Sequence, residues 1–354
     1  MRMKNLQPLL HMVWIVLLVS ACIPSRPEGG KPPETRADLV WPSPPATARI
    51  RYVRSIVTPR DLGIRKSFFG RMLDKFTGDG ELHFVRPSGV AERAGVVYVA
   101  DPGAQSLWIL DPAENRVTQV QQVGDDTLVS PVAVAVRADG AIFVADSWAG
   151  KVILVDRKGK FLAVAAQTGL QRPVGLAYDD RNGRLYVADS AGQRILAYNA
   201  QGEKLFSWGT RGAGVGEFNY PTHLAFTAAN ALLVTDALNF RIQSFDSDGK
   251  FLWQFGHHGD TSGSFASSKG VATDSGGHIY VVDALFDAVQ LFKKDGTFLL
   301  SFGNQGSGPG QFWLPGGLFI NDKDRIFVAD TYNHRIQVFE FIHTAHVTTS
   351  KHQP

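Results

Sequence analysis

The stretch Phe327-Val328-Ala329-Asp330 is an apolar triplet that ends in aspartate, and it or a close variant occurs six times in the 354 residues of the chain. The other copies are Tyr98-Val99-Ala100-Asp101, Phe143-Val144-Ala145-Asp146, Tyr186-Val187-Ala188-Asp189, Leu233-Val234-Thr235-Asp236 and Tyr280-Val281-Val282-Asp283. Successive aspartates lie 45, 43, 47, 47 and 47 residues apart. Short strands and glycine turns that recur with a period in the forties are typical of propeller blades. The sequence therefore predicts an all-β fold, a six-bladed β-propeller with four-stranded blades.

The fourth repeat shows how each blade is predicted to be built. Its strands are expected at 221–226, 232–236, 241–246 and 250–255, and Asp248-Gly249 between the last two is a strong hairpin signal. The aromatic and β-branched residues of these segments suit strands that are buried between neighbouring blades.

The residues after each repeated aspartate resemble the NHL repeat. The fourth copy has Asn239-x-Arg241-Ile242-Gln243, and the sixth has Asn333-His334-Arg335-Ile336-Gln337. The resemblance covers residues 84–341, although the first, second and fifth copies have Ser106, Lys151 and Ala288 where the repeat has arginine. It implies a six-bladed propeller and leaves the function open, because NHL propellers serve as binding modules and, less often, as lyases.

Two irregularities at the ends of the repeats compensate for each other. The sixth repeat lacks a fourth strand, while residues 49–57 read as a strand without a repeat of its own. We expect 49–57 to pair with 335–341 and close the last blade, which also covers an exposed edge. The propeller then spans 49–341, and 342–354 is a polar tail.

A predicted helical insertion lies at 57–84, before the first blade. Its apolar residues recur at helical spacing. These residues are Phe68, Phe69, Met72, Leu73 and Phe76. The helix is expected either to pack over one end of the propeller or to form a docking surface for a partner or for lipid.

The first 48 residues predict export and lipid anchoring. A basic start precedes an apolar run at 9–19, which is too short to span a bilayer, and residues 1–21 are therefore interpreted as a signal peptide. Val19-Ser20-Ala21-Cys22 resembles the lipobox of bacterial lipoproteins, in which the cysteine is acylated; the alternative is an ordinary signal peptide with a chance cysteine. Residues 22–48 are rich in proline and read as a tether; the exception within them is the apolar run Leu39-Val40-Trp41, which is expected to pack on the domain. An aspartate directly after the cysteine would favour retention in the inner membrane, and this chain has Ile23 there. We therefore expect the protein at the outer membrane, facing the periplasm, if the host has one.

The charge of the chain argues against a nucleic-acid partner. The formal charge of +3 falls to +1 when Arg2 and Lys4 leave with the signal peptide. A nearly neutral chain lacks the basic excess of a nucleic-acid binder. The expected partners are the membrane, through Cys22, and a protein or small ligand on one face of the propeller.

The first strands of the blades differ at one place, and this asymmetry indicates a site. The two residues after the position of the strand's proline are Ser88-Gly89, Val132-Ala133, Val174-Gly175, Thr222-His223, Lys269-Gly270 and Gly316-Gly317. Small residues suit crowding at the axis, and His223 is the exception. We therefore predict an axial ligand pocket formed by His223 and Lys269 with Ser88, Thr222 and His334. In the alternative, His223 only plugs the channel.

The sequence offers little for a metal, a cofactor or covalent catalysis. NHL-type lyases hold zinc on histidines four residues after the repeated aspartate. Here these positions are Gln105, Gly150, Gln193, Phe240, Asp287 and His334. One histidine does not make a catalytic zinc site, and the axial positions compared above contain no carboxylate for calcium. We expect no metal, no cofactor and no catalytic residue, and we interpret the six aspartates as structural.

The function predicted from these residues is that of a membrane-anchored binding or scaffolding propeller in the cell envelope. The alternative is an enzyme, a lyase or lactonase that uses the axial pocket. A pocket rich in convergent polar groups would favour the enzyme. A shallow face with exposed aromatic residues such as Trp148, Phe240, Phe286 and Tyr332 would favour the binding module.

Overall fold

The structure is a computed structural model that describes residues 39–65 and 82–343. Within these residues, antiparallel sheets form the six blades of an all-β propeller, as the repeat predicts. The first strand of each blade contacts the first strands of both neighbouring blades, so that six inner strands form a closed ring around the axis. The fold class predicted from the sequence is confirmed.

The strands are numbered in chain order. Those before the first repeat and in the first two blades are β1 (Val40–Trp41), β2 (Ile50–Ile56), β3 (Gly89–Arg93), β4 (Val96–Asp101), β5 (Ser106–Asp111), β6 (Arg116–Val120), β7 (Gln122–Val123), β8 (Asp126–Thr127), β9 (Pro131–Val136), β10 (Ile142–Asp146), β11 (Lys151–Val155) and β12 (Phe161–Ala166). The third and fourth blades contain β13 (Pro173–Asp179), β14 (Arg184–Asp189), β15 (Arg194–Tyr198), β16 (Lys204–Trp208), β17 (Pro221–Phe226), β18 (Leu232–Asp236), β19 (Arg241–Phe245) and β20 (Phe251–Phe255). The last two contain β21 (Ser268–Thr273), β22 (Ile279–Asp283), β23 (Ala288–Phe292), β24 (Phe298–Phe302), β25 (Leu318–Ile320), β26 (Arg325–Asp330) and β27 (Arg335–Phe341).

The hydrophobic core lies between neighbouring blades. Every residue of β18 and β19 is buried, because both faces of these central strands are covered by adjacent blades. The outer strand β20 instead alternates between partly buried and exposed residues, because successive side chains point to opposite faces and one of these faces is open to solvent. Several buried aromatic rings fill the spaces between blades, among them Phe265 and Phe292, whose centroids are 5.5 Å apart. Burial of this much apolar surface is the main term that holds the ring together.

The N-terminal strand closes the ring. β2 pairs antiparallel with β27 as the outer strand of the sixth blade, with Ile56 opposite Ile336 and Ile50 opposite Phe341. The predicted closure is therefore confirmed. The sheet also has a fifth strand, because β1 pairs with β2, and the ring of Trp41 lies 5.9 Å from that of Phe302. Residues from Leu39 onward, within the segment predicted as a tether, thus join the sixth blade.

Little helix is present among the described residues. Three short 3-10 helices occur, at Pro59–Leu62, Ala237–Asn239 and Thr331–Asn333. In the part of the chain that the structure describes, no helix is long and apolar enough to cross a membrane. The predicted signal peptide, Cys22 and the apolar residues of the predicted helical insertion, from Phe68 to Phe76, lie outside the described residues.

Candidate functional site

The six repeated aspartates lie at the ends of the second strands, on the same face as the beginnings of the inner strands. In the fourth blade, for example, Pro221 at the start of β17 is opposite Asp236 at the end of β18. The loops that join the second and third strands, and the connectors between blades, lie on this face as well. We call it the loop-bearing face.

Hydrogen bonds surround each of these aspartates, all of which are fully buried. In the sixth blade, the carboxylate of Asp330 accepts hydrogen bonds from the backbone N–H of Trp313 at 2.9 Å, from Arg335 Nε at 2.7 Å and from Gln337 Nε2 at 2.9 Å. The other copies also accept backbone N–H groups from the segment just before the inner strand of the same blade; Asp101, for example, binds Val85 and Arg86. The aspartates therefore join the second strand of each blade to its inner strand.

The arginine of the repeat extends this network to the connector between blades. Arg335 donates to the carbonyl oxygens of Ser307, Gly308 and Gln311, each at 2.8 Å. Arg241 makes the equivalent contacts in the fourth blade, where it also lies 2.8 Å from Asp236. These buried charges are paired and hydrogen-bonded, which is the condition under which burial of an ion pair is tolerated.

The positions four residues after each aspartate join one blade to the next. All six residues there have a left-handed backbone with φ between 49° and 64°. Four of them bind the backbone just before the next inner strand. These contacts are Gln105 Nε2 to the carbonyl of Val129 (3.4 Å), the N–H of Tyr220 to Gln193 Oε1 (2.7 Å), the N–H of Leu314 to Asp287 Oδ1 (2.7 Å), and His334 Nδ1 with the carbonyl of Val85. This position is therefore used for contacts between blades.

Close approach of the inner strands explains the small residues at the axis. A Cβ atom at Gly175 would lie 2.1 Å from the carbonyl oxygen of Thr222, and one at Gly317 would lie 2.2 Å from that of Ser88. A side chain at either position would collide with the backbone of the next blade. His223 occupies the equivalent position in the fourth blade, where the inner strand has an irregular register between Pro221 and Leu224.

The neighbouring strand β21 has a similar irregularity, at Lys269. The register of β21 shifts between Ser268 and Val271, so that Lys269 lies in a bulge beside that of His223. A bulge redirects side chains that a regular strand would send to alternating faces. The hydroxyl of Thr235 donates to the carbonyl of Lys269 at 2.8 Å and so holds the two blades together here.

Four polar groups at these bulges make no hydrogen bond. Thr222 Oγ1, His223 Nδ1 and Ser268 Oγ are buried without a partner among the described residues. The ammonium group of Lys269 likewise has neither a hydrogen bond nor an ion pair in the described part of the chain. We call Thr222, His223, Ser268 and Lys269 the polar cluster. Buried polar groups in native proteins are nearly always paired, so such a group calls for a water, an ion or a ligand.

Burial and charge keep the histidine of the cluster neutral. Burial, and secondly the positive charge of Lys269, lower the pKa of His223 to about 3. Burial also lowers the pKa of Lys269, although the carboxylate of Asp283 acts in the opposite direction. At neutral pH the imidazole of His223 is therefore able both to donate and to accept a hydrogen bond.

The channel along the axis is narrow at His223 and wider at the opposite end. The cavity that His223 borders measures about 50 Å³ and is lined mainly by glycine, alanine, valine and leucine. A second cavity of about 270 Å³ lies where the inner strands end, with Tyr178 and Phe226 in its wall and the Arg93–Asp180 ion pair beside it. Drug-sized ligands occupy pockets of about 300–1,000 Å³, so the space beside His223 fits water or one small group.

The family model of the NHL repeat matches residues 170–198 and 312–339, which are parts of the third and sixth blades. The chain contains NHL repeats and folds as a six-bladed β-propeller. No curated protein sequence matches it.

Solved structures share the fold of this NHL propeller at low sequence identity. They include a catalytically inactive virginiamycin B lyase from Staphylococcus aureus with quinupristin, at 14% identity over 73% of this chain and 95% of that chain, with a TM-score of 0.54. An auxiliary nutrient binding protein from Bacteroides thetaiotaomicron is 13% identical over 73% and 69%, with a TM-score of 0.56. A gluconolactonase from Xanthomonas campestris is 16% identical over 73% and 87%, also with a TM-score of 0.56. These likenesses establish a shared fold alone.

The predicted axial residues fall into separate places in the NHL propeller. His223 borders the narrow cavity, and Thr222 precedes it in β17 on the side of the loop-bearing face. The described residues that line this cavity include none from β21, the strand of Lys269. Ser88 is half-buried in the first blade. His334 is exposed on a loop of the sixth blade, where it contacts Val85, and it is not among the described residues that line either axial cavity. Sequence reasoning missed Ser268, because that residue occupies the proline position and was not compared.

Exposed apolar side chains surround the axis on the loop-bearing face. The residue two positions after the aspartate is large, apolar and exposed in four blades. These residues and their exposed fractions are Trp148 (81%), Leu238 (51%), Leu285 (64%) and Tyr332 (42%). We call them the apolar ring. Of the aromatic residues expected on this face, Trp148 and Tyr332 are exposed, whereas Phe240 and Phe286 are partly buried.

No metal centre is evident in the described part of the NHL propeller. Among residues 39–65 and 82–343, no group of three or more His, Cys, Asp or Glu side chains is placed to hold a metal ion.

Proposed function

We propose that the protein is a binding module of the cell envelope that captures an anionic group of a partner protein or ligand on its loop-bearing face. The observation that carries the proposal is the polar cluster, in which a lysine, a neutral histidine and two hydroxyl groups have no partner in the described part of the chain. An anionic oxygen would accept hydrogen bonds from the hydroxyls and the imidazole, and Lys269 would supply the opposite charge. Such contacts would offset the cost of burying these groups unpaired.

The apolar ring supports a protein partner. Its members lie on loops of four different blades, and Trp148 is 81% exposed. Exposed aromatic and aliphatic side chains that surround a polar centre are typical of protein-binding surfaces. The partner is therefore expected to present an acidic group flanked by apolar residues.

The alternative is a propeller enzyme, a lyase or a lactonase, and the lyase and gluconolactonase of the same fold make it worth testing. Two observations favour binding instead. A histidine whose pKa is about 3 is a weak general base at neutral pH. In addition, the cavity of about 50 Å³ beside it is small for a reacting substrate.

Replacement of Lys269 tests the binding proposal. The tethered chain would be cross-linked in membranes of cells that express it, and the captured partner would be quantified for the wild type and for Lys269→Met. Loss of the cationic group is expected to lower capture at least tenfold. Lys294→Met, which removes an exposed lysine from a turn of the fifth blade, is the control and should capture normally. Equal capture by Lys269→Met and by the control would refute the proposal.

We also propose that the protein is a lipoprotein, acylated at Cys22 and held at the outer membrane facing the periplasm. The proposal rests on the resemblance of residues 19–22 to a lipobox, and on the proline-rich segment that separates Cys22 from β1. Cys22→Ala is expected to release a soluble form or to block processing. The measurement is fractionation of membranes together with mass spectrometry of the N-terminus. Membrane retention of a correctly cleaved Cys22→Ala protein would contradict the anchor.

A further inference from the structure

A groove at the outside of the first blade is lined by uncharged polar side chains. It measures about 600 Å³ and lies between β6, the β7–β8 hairpin and a turn of the second blade. Among the described residues, its wall contains four glutamines and two threonines and no charged side chain. These residues are Gln105, Thr118, Gln119, Gln121, Gln122 and Thr127. We call it the carboxamide groove. We propose that it binds an uncharged, hydroxyl-rich ligand, of the chemical class of a neutral oligosaccharide.

Contacts with the protein determine which way three of the amides point. Gln121 Nε2 lies 3.3 Å from the carbonyl oxygen of Ala104, and Gln105 Nε2 lies 3.4 Å from that of Val129. A backbone carbonyl only accepts hydrogen bonds, so in both cases the NH₂ end must face the protein.

The same reasoning applies to Gln119. The hydroxyl of Ser106 donates its hydrogen to the carbonyl of Ala104 at 2.7 Å, and it is therefore an acceptor toward Gln119 Nε2 at 2.8 Å. In all three amides, the nitrogen thus donates a hydrogen bond to the protein. The three Oε1 atoms have no hydrogen-bond partner among the described residues, and all three side chains are exposed. The groove presents a set of neutral acceptors in a defined orientation.

The chemistry of the wall selects the ligand. The described residues of the wall include no charged side chain, so they give neither an anion nor a cation an opposite charge. Its apolar members, Val120 and Leu128, are 6% and 2% exposed, so it offers little surface to an apolar ligand. A sugar carries many hydroxyl groups, each of which donates to a carboxamide oxygen and accepts from a threonine hydroxyl. The hydroxyl groups of a neutral saccharide can therefore pair with both the amide oxygens and the threonine hydroxyls of the wall.

The carboxamide groove of the first blade has no counterpart at the same place in the described fourth blade. In the fourth blade, the position of Gln105 is occupied by Phe240, whose ring lies 4.4 Å from that of His258. The residue equivalent to Gln119 there is Gln254, and its oxygen accepts a hydrogen bond from Arg241 at 3.1 Å. In the fourth blade the amide oxygen thus accepts a hydrogen bond from an arginine. In the first blade Ser106 binds the amide nitrogen of Gln119, and the amide oxygen has no partner among the described residues. Sites in repeat proteins are found where one repeat departs from the others.

The hairpin that forms one wall is held in place. β7 and β8 pair with each other, and Lys151 of the second blade forms an ion pair with Asp126 in β8. The backbone N–H of Leu128 donates to the carbonyl of Gln121 at 2.8 Å. The wall is therefore preformed, which lowers the entropic cost of binding.

Titration with neutral trisaccharides tests the inference. Maltotriose, cellotriose and chitotriose would each be added to the folded protein, with saturation-transfer NMR and calorimetry as readouts. At least one is expected to bind with a dissociation constant of about 1 mM or tighter. The double variant Gln119→Leu/Gln121→Leu is expected to weaken that binding at least tenfold, because two acceptors are lost. Gln201→Leu, in an exposed turn of the third blade, is the control and should bind as the wild type does.

Each outcome decides the question. Failure of all three sugars to bind, or equal binding by the double variant, overturns the inference. If the double variant melts at a lower temperature than the wild type, the single variant Gln121→Met replaces it, since that change removes only one contact of 3.3 Å. Lys269→Met should leave sugar binding unchanged, so that this test and that of the polar cluster fail independently.

Discussion

The aspartate network of the sixth blade and the polar cluster between the fourth and fifth blades are both buried and polar, yet they differ in how their groups are paired. Asp330 accepts hydrogen bonds from the side chains of Arg335 and Gln337 and from the backbone, and the arginine in turn holds the connector. His223 Nδ1 and its neighbouring hydroxyls have no partner within residues 39–65 and 82–343. The backbone contacts of the aspartate recur in every blade, and the arginine and glutamine contacts recur in the fourth blade. The polar cluster occurs at one place on the axis.

This difference separates polar groups that hold the blades from polar groups that are available to a ligand. A buried group whose hydrogen bonds are all made contributes to stability, and its removal leaves the other partners unpaired. A buried group without a partner destabilises the fold, and it is retained against that cost at binding sites. The two regions should therefore respond to substitution in opposite ways.

The largest expected effect is at the network. Asp330→Ala leaves the guanidinium of Arg335 buried without its counter-ion, and removal of one partner of such a pair costs about 3–5 kcal/mol. Urea unfolding, followed by tryptophan fluorescence, would measure the loss. Asp295→Ala removes an exposed carboxylate from a hairpin turn of the fifth blade and should have a far smaller effect. Similar losses for the two variants would contradict the structural role of Asp330.

A smaller effect is expected from pH at the polar cluster. The pKa of His223 is about 3 in the folded protein and 6.5 in the unfolded chain, so the unfolded state takes up a proton first as the pH falls. The free energy of unfolding is therefore unaffected by the titration of His223 above about pH 6.5, and it falls progressively as the pH is lowered from 6.5 toward 3. At pH 5 the loss is roughly 2 kcal/mol.

His223→Gln isolates this contribution from that of the carboxylates. The free energy of unfolding would be measured from pH 7.5 to about pH 5 for both proteins. The wild type should lose stability more steeply than the variant below about pH 6.5. Parallel curves would mean that His223 is protonated at its ordinary pKa, and that the cluster is open to water.

Much of the fold can be predicted from the sequence, because all six repeats must satisfy the same physical requirement and therefore show the same pattern. The spacing of the aspartates indicates the number of blades. The missing last strand of the sixth repeat, together with the unmatched segment at 49–57, predicts the closure by β2. β1 has no periodicity to detect, because it is two residues long and lies in a proline-rich segment; the apolar run Leu39-Val40-Trp41 indicates packing on the domain but not the pairing with β2.

The candidate site is predicted less completely, for a physical reason. A side chain that departs from a repeat, such as His223, is visible in the sequence. Whether its hydrogen bonds are made depends on bulges and on neighbouring blades, and these emerge only in three dimensions. The sequence thus indicates His223 and Lys269, whereas Ser268 and the free amides of the carboxamide groove require the structure.

The smallest effect on stability, and a large effect on binding, is expected at the apolar ring. Trp148 is 81% exposed, and its replacement by alanine removes little buried surface, so the free energy of unfolding should change by less than about 0.5 kcal/mol. Capture of a partner should nevertheless fall, because an exposed tryptophan on a binding face loses its water on association and carries a large share of the interface energy. Leu252→Ala is the matched control, since this 45% exposed leucine lies on the outer strand β20, away from the loop-bearing face. If both variants capture the partner as the wild type does, the apolar ring is not part of the interface, and binding must depend on the polar cluster alone.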